Sequence, residues 1–198
     1  MSLLFETIKV VNNTIINIDY HNERVNQSRQ QLLNACDKWD LNTIIAIPEL
    51  KPDQVYKCKI IYSEKPVSIK FYPYVIKPLR TLKLVDCSNI DYRYKYFDRS
   101  DLEILKLSND QADDIIIVQH RRITDCSYAN IVFYDGAKWV TPAIPLLKGT
   151  KRQQYIDNQL ILERDITISD LQYFTNARII NAMIDLEESP DILMENIF

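Results

Sequence analysis

Lys95 stands in Asp91-Tyr92-Arg93-Tyr94-Lys95-Tyr96-Phe97-Asp98-Arg99, among three tyrosines and a phenylalanine. A lysine withdrawn from water among aromatic rings has a lowered pKa, and its neutral amine can form a Schiff base with a carbonyl. The plainer reading is a snorkelling lysine on a strand. Gly149 precedes a helical segment in Lys148-Gly149-Thr150-Lys151-Arg152. Backbone N–H groups at such a helix start converge on an anion, helped by the helix dipole; the alternative is a tight turn with solvated charges. Arg24, in His21-Asn22-Glu23-Arg24-Val25, can grip a phosphate with two parallel N–H groups, or pair with a surface carboxylate. Asp125, in Thr124-Asp125-Cys126-Ser127-Tyr128-Ala129-Asn130, is expected between strands, where it either works on a ligand or caps a turn. Cys126 with His21 or His120 would be the material of a cysteine hydrolase, but no motif supports it and buried thiols are usually inert.

Composition removes several other chemistries. Only two glycines occur in 198 residues, Gly136 and Gly149, against roughly 7% in an average protein, so neither a GxGxxG turn nor a P-loop can be built. Lysine and arginine number 24 against 27 acidic residues, a formal net charge of -3 that offers no basic stripe for nucleic acid. Cys36, Cys58, Cys87 and Cys126 form no CxxC pair, and with two histidines no metal site is expected; reduced thiols and a cytoplasmic location are the simplest reading. No apolar run approaches the roughly 18 residues of a membrane span, and the first residues lack a signal peptide's pattern. The length suits one large domain or two small ones.

The elements that must position these residues follow from period and punctuation. Leu4 to Val11 and Thr14 to Ile18 read as a hairpin around Asn12-Asn13, and Asp19 caps a helix reaching about Cys36. Thr43 to Ile47, Val55 to Tyr62 and Val67 to Tyr72 read as strands separated by prolines. Residues 75 to 89 connect two lobes, 1–85 and 86–198. Ser100-Asp101-Leu102-Glu103 opens a short helix to about Leu107. Ile115 to Gln119 is a strand ending in a turn at His120-Arg121, and Tyr128 to Tyr134 with Lys138 to Thr141 form a hairpin around Asp135-Gly136. A helix from Gly149 to about Leu160, a strand from Leu162 to Ile166, a helix capped near Ser169 and a strand from Ala177 to Met183 follow, and the tail from Glu187 reads as a short helix. The class is α+β.

In order and spacing, these segments together resemble the class IV aminotransferases, pyridoxal-phosphate enzymes of fold type IV that include branched-chain and D-amino acid aminotransferases and aminodeoxychorismate lyases. The likeness runs from Phe5-Glu6-Thr7-Ile8-Lys9-Val10 through His21-Asn22-Glu23-Arg24-Val25, Lys95, Thr124-Asp125-Cys126-Ser127-Tyr128-Ala129-Asn130-Ile131-Val132-Phe133 and Pro145-Leu146-Leu147-Lys148-Gly149-Thr150-Lys151-Arg152, fading near Ile180-Asn181-Ala182-Met183. It implies a two-lobed fold of the D-amino acid aminotransferase type, with pyridoxal 5'-phosphate held as an aldimine by Lys95. Arg24 and the backbone at Gly149, Thr150 and Lys151 would take the cofactor phosphate, and Asp125 would pair with the pyridine nitrogen. Asn130 would support the acid, and Thr7 would face the substrate.

The departures are specific. The family acid is usually glutamate, so Asp125 is one methylene short; Lys148 replaces a common proline and Lys151 a common threonine, and Tyr128 stands where a small hydroxyl residue is common. The chain begins at the Phe-Glu-Thr strand, so part of the usual substrate lid or dimer surface is expected to be absent or supplied by a partner subunit. The resemblance implies a homodimer acting on a small molecule, without nucleic acid or membrane. Short β-rich chains with Phe-Glu-Thr near the start look most like the lyase branch, which releases 4-aminobenzoate and pyruvate from 4-amino-4-deoxychorismate for folate biosynthesis. Amino-acid transamination and a degenerate, non-catalytic homologue are the other readings.

Overall fold

The computed structural model describes residues 3–198. Two compact units form, Met1–Ile76 with Tyr94–Asp98, and Lys77–Arg93 with Arg99–Phe198, so the chain leaves the first unit, returns to it for five residues and leaves again.

The first unit is a four-stranded antiparallel sheet with one long helix. Strands β1 (Leu4–Val11), β2 (Thr14–Ile15), β3 (Val55–Tyr62) and β4 (Pro66–Pro73) lie in the order β2-β1-β3-β4. Asn12 and Asn13 both take positive φ, 47° and 59°, the geometry of the two-residue turn that matches strand twist. Helix α1 (Ile18–Leu33) begins after Asn17 and stops at Asn34, both left-handed. The expected cap at Asp19 is therefore wrong by two residues: Asp19 sits inside the first turn, where its charge favours the helix dipole. On β1 one row packs into the core, with Leu4, Ile8 and Val10 fully buried against Val25, Leu41, Cys58 and Ile60. Each such aliphatic side chain contributes roughly 1.5–3 kcal/mol when removed from water. The run Thr43 to Ile47 is no strand. Asp40 accepts the N–H of Asn42 at 3.0 Å and starts the short helix α2 (Leu41–Ile44), a capping signal that overrides β-propensity.

The second unit is built on an eight-stranded mixed sheet. Its main path runs β10 (Ile161–Arg164), β9 (Trp139–Pro142), β8 (Asn130–Tyr134), β7 (Arg122–Cys126), β6 (Asp114–Gln119), β5 (Leu82–Asp86); β11 (Asn176–Ile180) pairs with β8 and with β12 (Ile192–Leu193). Helices α3 (Ser100–Leu107) and α4 (Thr150–Asp157) accompany it. The connector expected at 75–89 contains β5, which pairs in parallel with β6, so the division expected at 85/86 would cut a strand of this sheet. The segment at Ser169 is a 3-10 helix, Ile168–Tyr173, capped instead by Thr167 with Asp170. The tail is not a helix: Ile192 is fully buried and pairs with Ala177 in β12 before a single 3-10 turn. Gly136 sits at φ 93°, a conformation that L side chains rarely adopt.

Candidate functional site

In the first unit the site begins with a violation of the β1 pattern. The row Leu4, Glu6, Ile8, Val10 faces the core, and Glu6 is completely buried in it. An isolated carboxylate there would be very costly. One turn of α1 supplies the compensation. His21 Nδ1 lies 2.7 Å from Glu6 Oε2, and three residues on, Arg24 donates from Nε to Oε1 at 2.9 Å and from Nη2 to Oε2 at 2.5 Å. Since an ionised carboxylate only accepts, His21 carries its proton on Nδ1. Burial pushes the Glu6 carboxyl up, but the Arg24 charge and the His21 hydrogen bond outweigh it and hold the group at about 2. Burial lowers the His21 pKa, against the pull of Glu6.

Lys95 belongs to the same unit. The segment Tyr94–Asp98 is sewn to β1 by the Phe5 N–H to the Lys95 carbonyl at 3.0 Å and the Phe97 N–H to the Leu3 carbonyl at 2.9 Å. Lys95 is half-buried, and its Nζ lies 4.8 Å from the centroid of Phe5. A ring from β1 thus shields its ammonium. Thr7, two residues along β1 from Phe5, is half-buried and opposes Lys59. Arg24 spends two of its five N–H donors on Glu6, so its position is set by a buried anion.

In the second unit Asp125 does not sit between strands. It lies within β7 and faces Asn130 of β8, across a turn closed by the Cys126 N–H to the Ala129 carbonyl at 2.9 Å. Asn130 Nδ2 donates to Asp125 Oδ1 at 2.7 Å and to the Leu147 carbonyl at 2.9 Å, while the Leu147 N–H returns to Asp125 Oδ2 at 2.9 Å. Asp125 is 4% exposed. Burial dominates and raises its carboxyl to about 6, although the Leu147 N–H, Asn130 and the charge of Arg152 pull the other way.

Asn130 also explains the second glycine. A Cβ on Gly149 would stand 2.0 Å from Asn130 Oδ1, inside van der Waals contact, so only glycine admits this approach; its φ is an ordinary -69°. Helix α4 starts at the next residue, and its first internal bond is the Gln153 N–H to the Gly149 carbonyl at 2.9 Å. The N–H groups of Thr150, Lys151 and Arg152 therefore have no acceptor within the helix and point from its N-terminus. The Lys151 side chain is turned to protein groups, with Nζ 2.5 Å from Asp185 Oδ1 and 3.1 Å from Gln154 Oε1. Arg152, fully buried, donates from Nη2 to the Pro142 carbonyl at 2.8 Å and to Glu163 at 2.6 Å. Cys126 is buried and its thiol is pushed far above the usual range, which removes it as a nucleophile. Among the described residues no group of three or more histidine, cysteine or carboxylate side chains could hold a metal.

The profile of the family described as "Amino-transferase class IV" matches residues 3–186. The chain belongs to that family. It is a pyridoxal-phosphate-dependent enzyme with the fold of type IV, as the resemblance implied. An uncharacterised protein of Haemophilus influenzae is 36% identical over 182 residues, covering 91% of this chain and 97% of that one. A solved structure of a proposed 4-amino-4-deoxychorismate lyase from Haemophilus somnus superposes with a TM-score of 0.87 at 34% identity, covering 94% of this chain and 98% of the other. A proposed amino-acid aminotransferase from Mesorhizobium loti, 18% identical with a TM-score of 0.76 over 97% and 99% of the two chains, shares the fold.

The residues fit the cofactor on two observations of this structure: a carboxylate at Asp125 whose acid form is stabilised by burial, and a glycine-dependent helix start at Gly149. The sequence offers His21 only as a partner for Cys126; its pairing with Glu6, and the contacts of Arg152 and Leu147 around Asp125 and Gly149, come from the structure. The signal for Glu6 was a charged residue in the inward row of an alternating strand.

Proposed function

We propose that this chain is a 4-amino-4-deoxychorismate lyase, forming 4-aminobenzoate and pyruvate. The observation that carries the reaction is the full-length likeness, at 34% identity, to the Haemophilus somnus protein named for that activity. Pyridoxal phosphate, when bound, supplies an electron sink for charge developing at the substrate carbon that bears the amine. Lys95 Nζ would hold the cofactor covalently and then move a proton at the substrate. Its place over Phe5 limits the water around that ammonium. Asp125 would keep a proton on the ring nitrogen; a buried carboxylate gains more from a cationic N–H donor than from neutral ones. The backbone N–H groups at Thr150 and Lys151 would bind phosphate oxygens, as would the Arg24 guanidinium aimed by Glu6. Thr7 would contact the substrate from β1.

Action as a homodimer in the cytoplasm belongs to the same reading. The four cysteines are all free thiols, as a reducing compartment favours. Among the described residues no helix is long and apolar enough to cross a membrane.

Purified protein given 4-amino-4-deoxychorismate should release 4-aminobenzoate and pyruvate in equal amounts, and Lys95→Ala should release neither. Amino-group transfer from D- or L-amino acids to 2-oxoglutarate, with no 4-aminobenzoate formed, would replace the lyase reading by transamination.

A further inference from the structure

The face of the first unit's sheet opposite Glu6 carries a ladder of lysines. The register sets Lys9 directly against Lys57 and Lys59 directly against Lys70, with Thr7 opposite Lys59. Residues that oppose one another share a face, so Phe5 and Thr7 lie on the same side as these four lysines. The strand residues of that side include no aspartate or glutamate; Glu6, the one acid in these four strands, points to the core. Like charges directly opposite destabilise a sheet, and this chain, with a net charge of -3, places two such pairs side by side. Local rules broken together in one place are expected at functional sites.

The placement of the ammonium groups is specific. Lys59 Nζ lies 5.2 Å from the Phe5 ring centroid and 4.8 Å from that of Phe97, and Lys57 Nζ lies 5.7 Å from that of Tyr72. Lys95 Nζ sits on the same Phe5 ring at 4.8 Å. Rings hold a cation in place without cancelling its charge. Lys9 is only 6% exposed, and Lys57 and Lys59 are half-buried, so their fields are screened less than those of solvated lysines.

We infer that Lys57 and Lys59, backed by Lys9, bind the carboxylates of a dianionic small molecule whose amine would react with the cofactor that Lys95 would hold. The inference rests on the function proposed above and deepens it. A substrate such as 4-amino-4-deoxychorismate carries one carboxylate on its ring and one on its enolpyruvyl arm, whereas a simple amino acid offers one. The basic face is confined to three strands and anchored at the Phe5 ring shared with Lys95, which suits a small dianion; a long polyanion would meet the acidic excess of the rest of the chain.

The test uses chorismate, which keeps both carboxylates but has a hydroxyl in place of the amine. Titrated calorimetrically into the holoenzyme, it should bind the native protein with an affinity that falls as sodium chloride is added. The double variant K57M/K59M should bind at least tenfold more weakly with a shallower salt dependence, and K57Q and K59Q alone at least threefold more weakly. The visible absorbance of the bound cofactor should be unchanged in all three. If the double variant fails to fold, the single variants decide. Native affinity in these variants, or no chorismate binding by the native holoenzyme, would overturn the inference. A native protein that takes up pyridoxal phosphate but makes no 4-aminobenzoate would defeat the lyase reading instead, since chorismate binding is scored without turnover.

Discussion

Glu6 and Asp125 are both almost wholly removed from water, and their pKa values move in opposite directions. Glu6 in the first unit is 0% exposed and is held at about 2; Asp125 in the second is 4% exposed and is raised to about 6. Burial raises both. The difference lies in the partners: Glu6 has the Arg24 guanidinium and the His21 N–H in direct contact, while Asp125 is bonded by neutral N–H groups, those of Asn130 and Leu147 among them, and the Arg152 charge offsets burial only in part. Glu6 is electrostatically compensated, and its two hydrogen bonds fix the Arg24 guanidinium. Among the described residues Asp125 forms no ion pair and burial outweighs the Arg152 charge, the condition expected of a group that would take a protonated ring nitrogen.

Breaking the compensated side should have the largest effect. Glu6→Gln leaves Arg24 and His21 facing a neutral amide in a buried setting, and loss of one member of such a cluster costs about 3–5 kcal/mol. Urea unfolding at pH 7 should show that loss. Because the Glu6 pKa is lowered from 4.5 to about 2, its stabilisation is fully present above pH 4.5 and disappears as pH falls toward 2, so native and variant stabilities should converge there. Equal stability at pH 7 would mean that the cluster contributes nothing net.

Asp125 gives the reverse sign. Its pKa is raised from 3.8 to about 6, so the folded protein binds the extra proton between those values and loses stability as pH rises through them. Comparing cofactor-free native protein with Asp125→Asn, the native form should lose about 3 kcal/mol relative to the variant between pH 3.5 and pH 7. A difference that stays constant with pH would show that Asp125 is already satisfied. A smaller effect is expected at Arg24: charge-assisted bonds to phosphate contribute about 1.5–3 kcal/mol, so Arg24→Ala should weaken pyridoxal phosphate binding about tenfold or more in a spectral titration. Unchanged affinity would leave Arg24 with no task beyond neutralising Glu6.

Much of this was legible before any coordinates. The hairpin at Asn12-Asn13, the turn at Asp135-Gly136 and the helix after Gly149 are written in local turn and cap chemistry, and strands β3, β4 and β6 in their apolar runs. Elements fixed by distant contacts were not. β7 was missed because Arg122 to Cys126 is mostly polar and is held by pairing with β6 and β8. The tail became a strand because Ile192 is buried against β11. At the site, Lys95, Arg24, Asp125 and the Gly149 loop stood out by motif, but the reason for each lies in a partner far away in sequence. Glu6 fixes Arg24 from 18 positions away, and Asn130 forbids a side chain at Gly149.

The central claim is that Asp125 supplies the charge that keeps the cofactor ring protonated. The direct measurement is the 15N resonance of pyridoxal phosphate labelled at its ring nitrogen and bound to the native protein and to Asp125→Asn. The account predicts a protonated pyridinium nitrogen in the native protein at pH 8 and a neutral pyridine nitrogen in the variant at the same pH. A pyridinium signal that persists in Asp125→Asn, or a neutral nitrogen in the native protein, would contradict it.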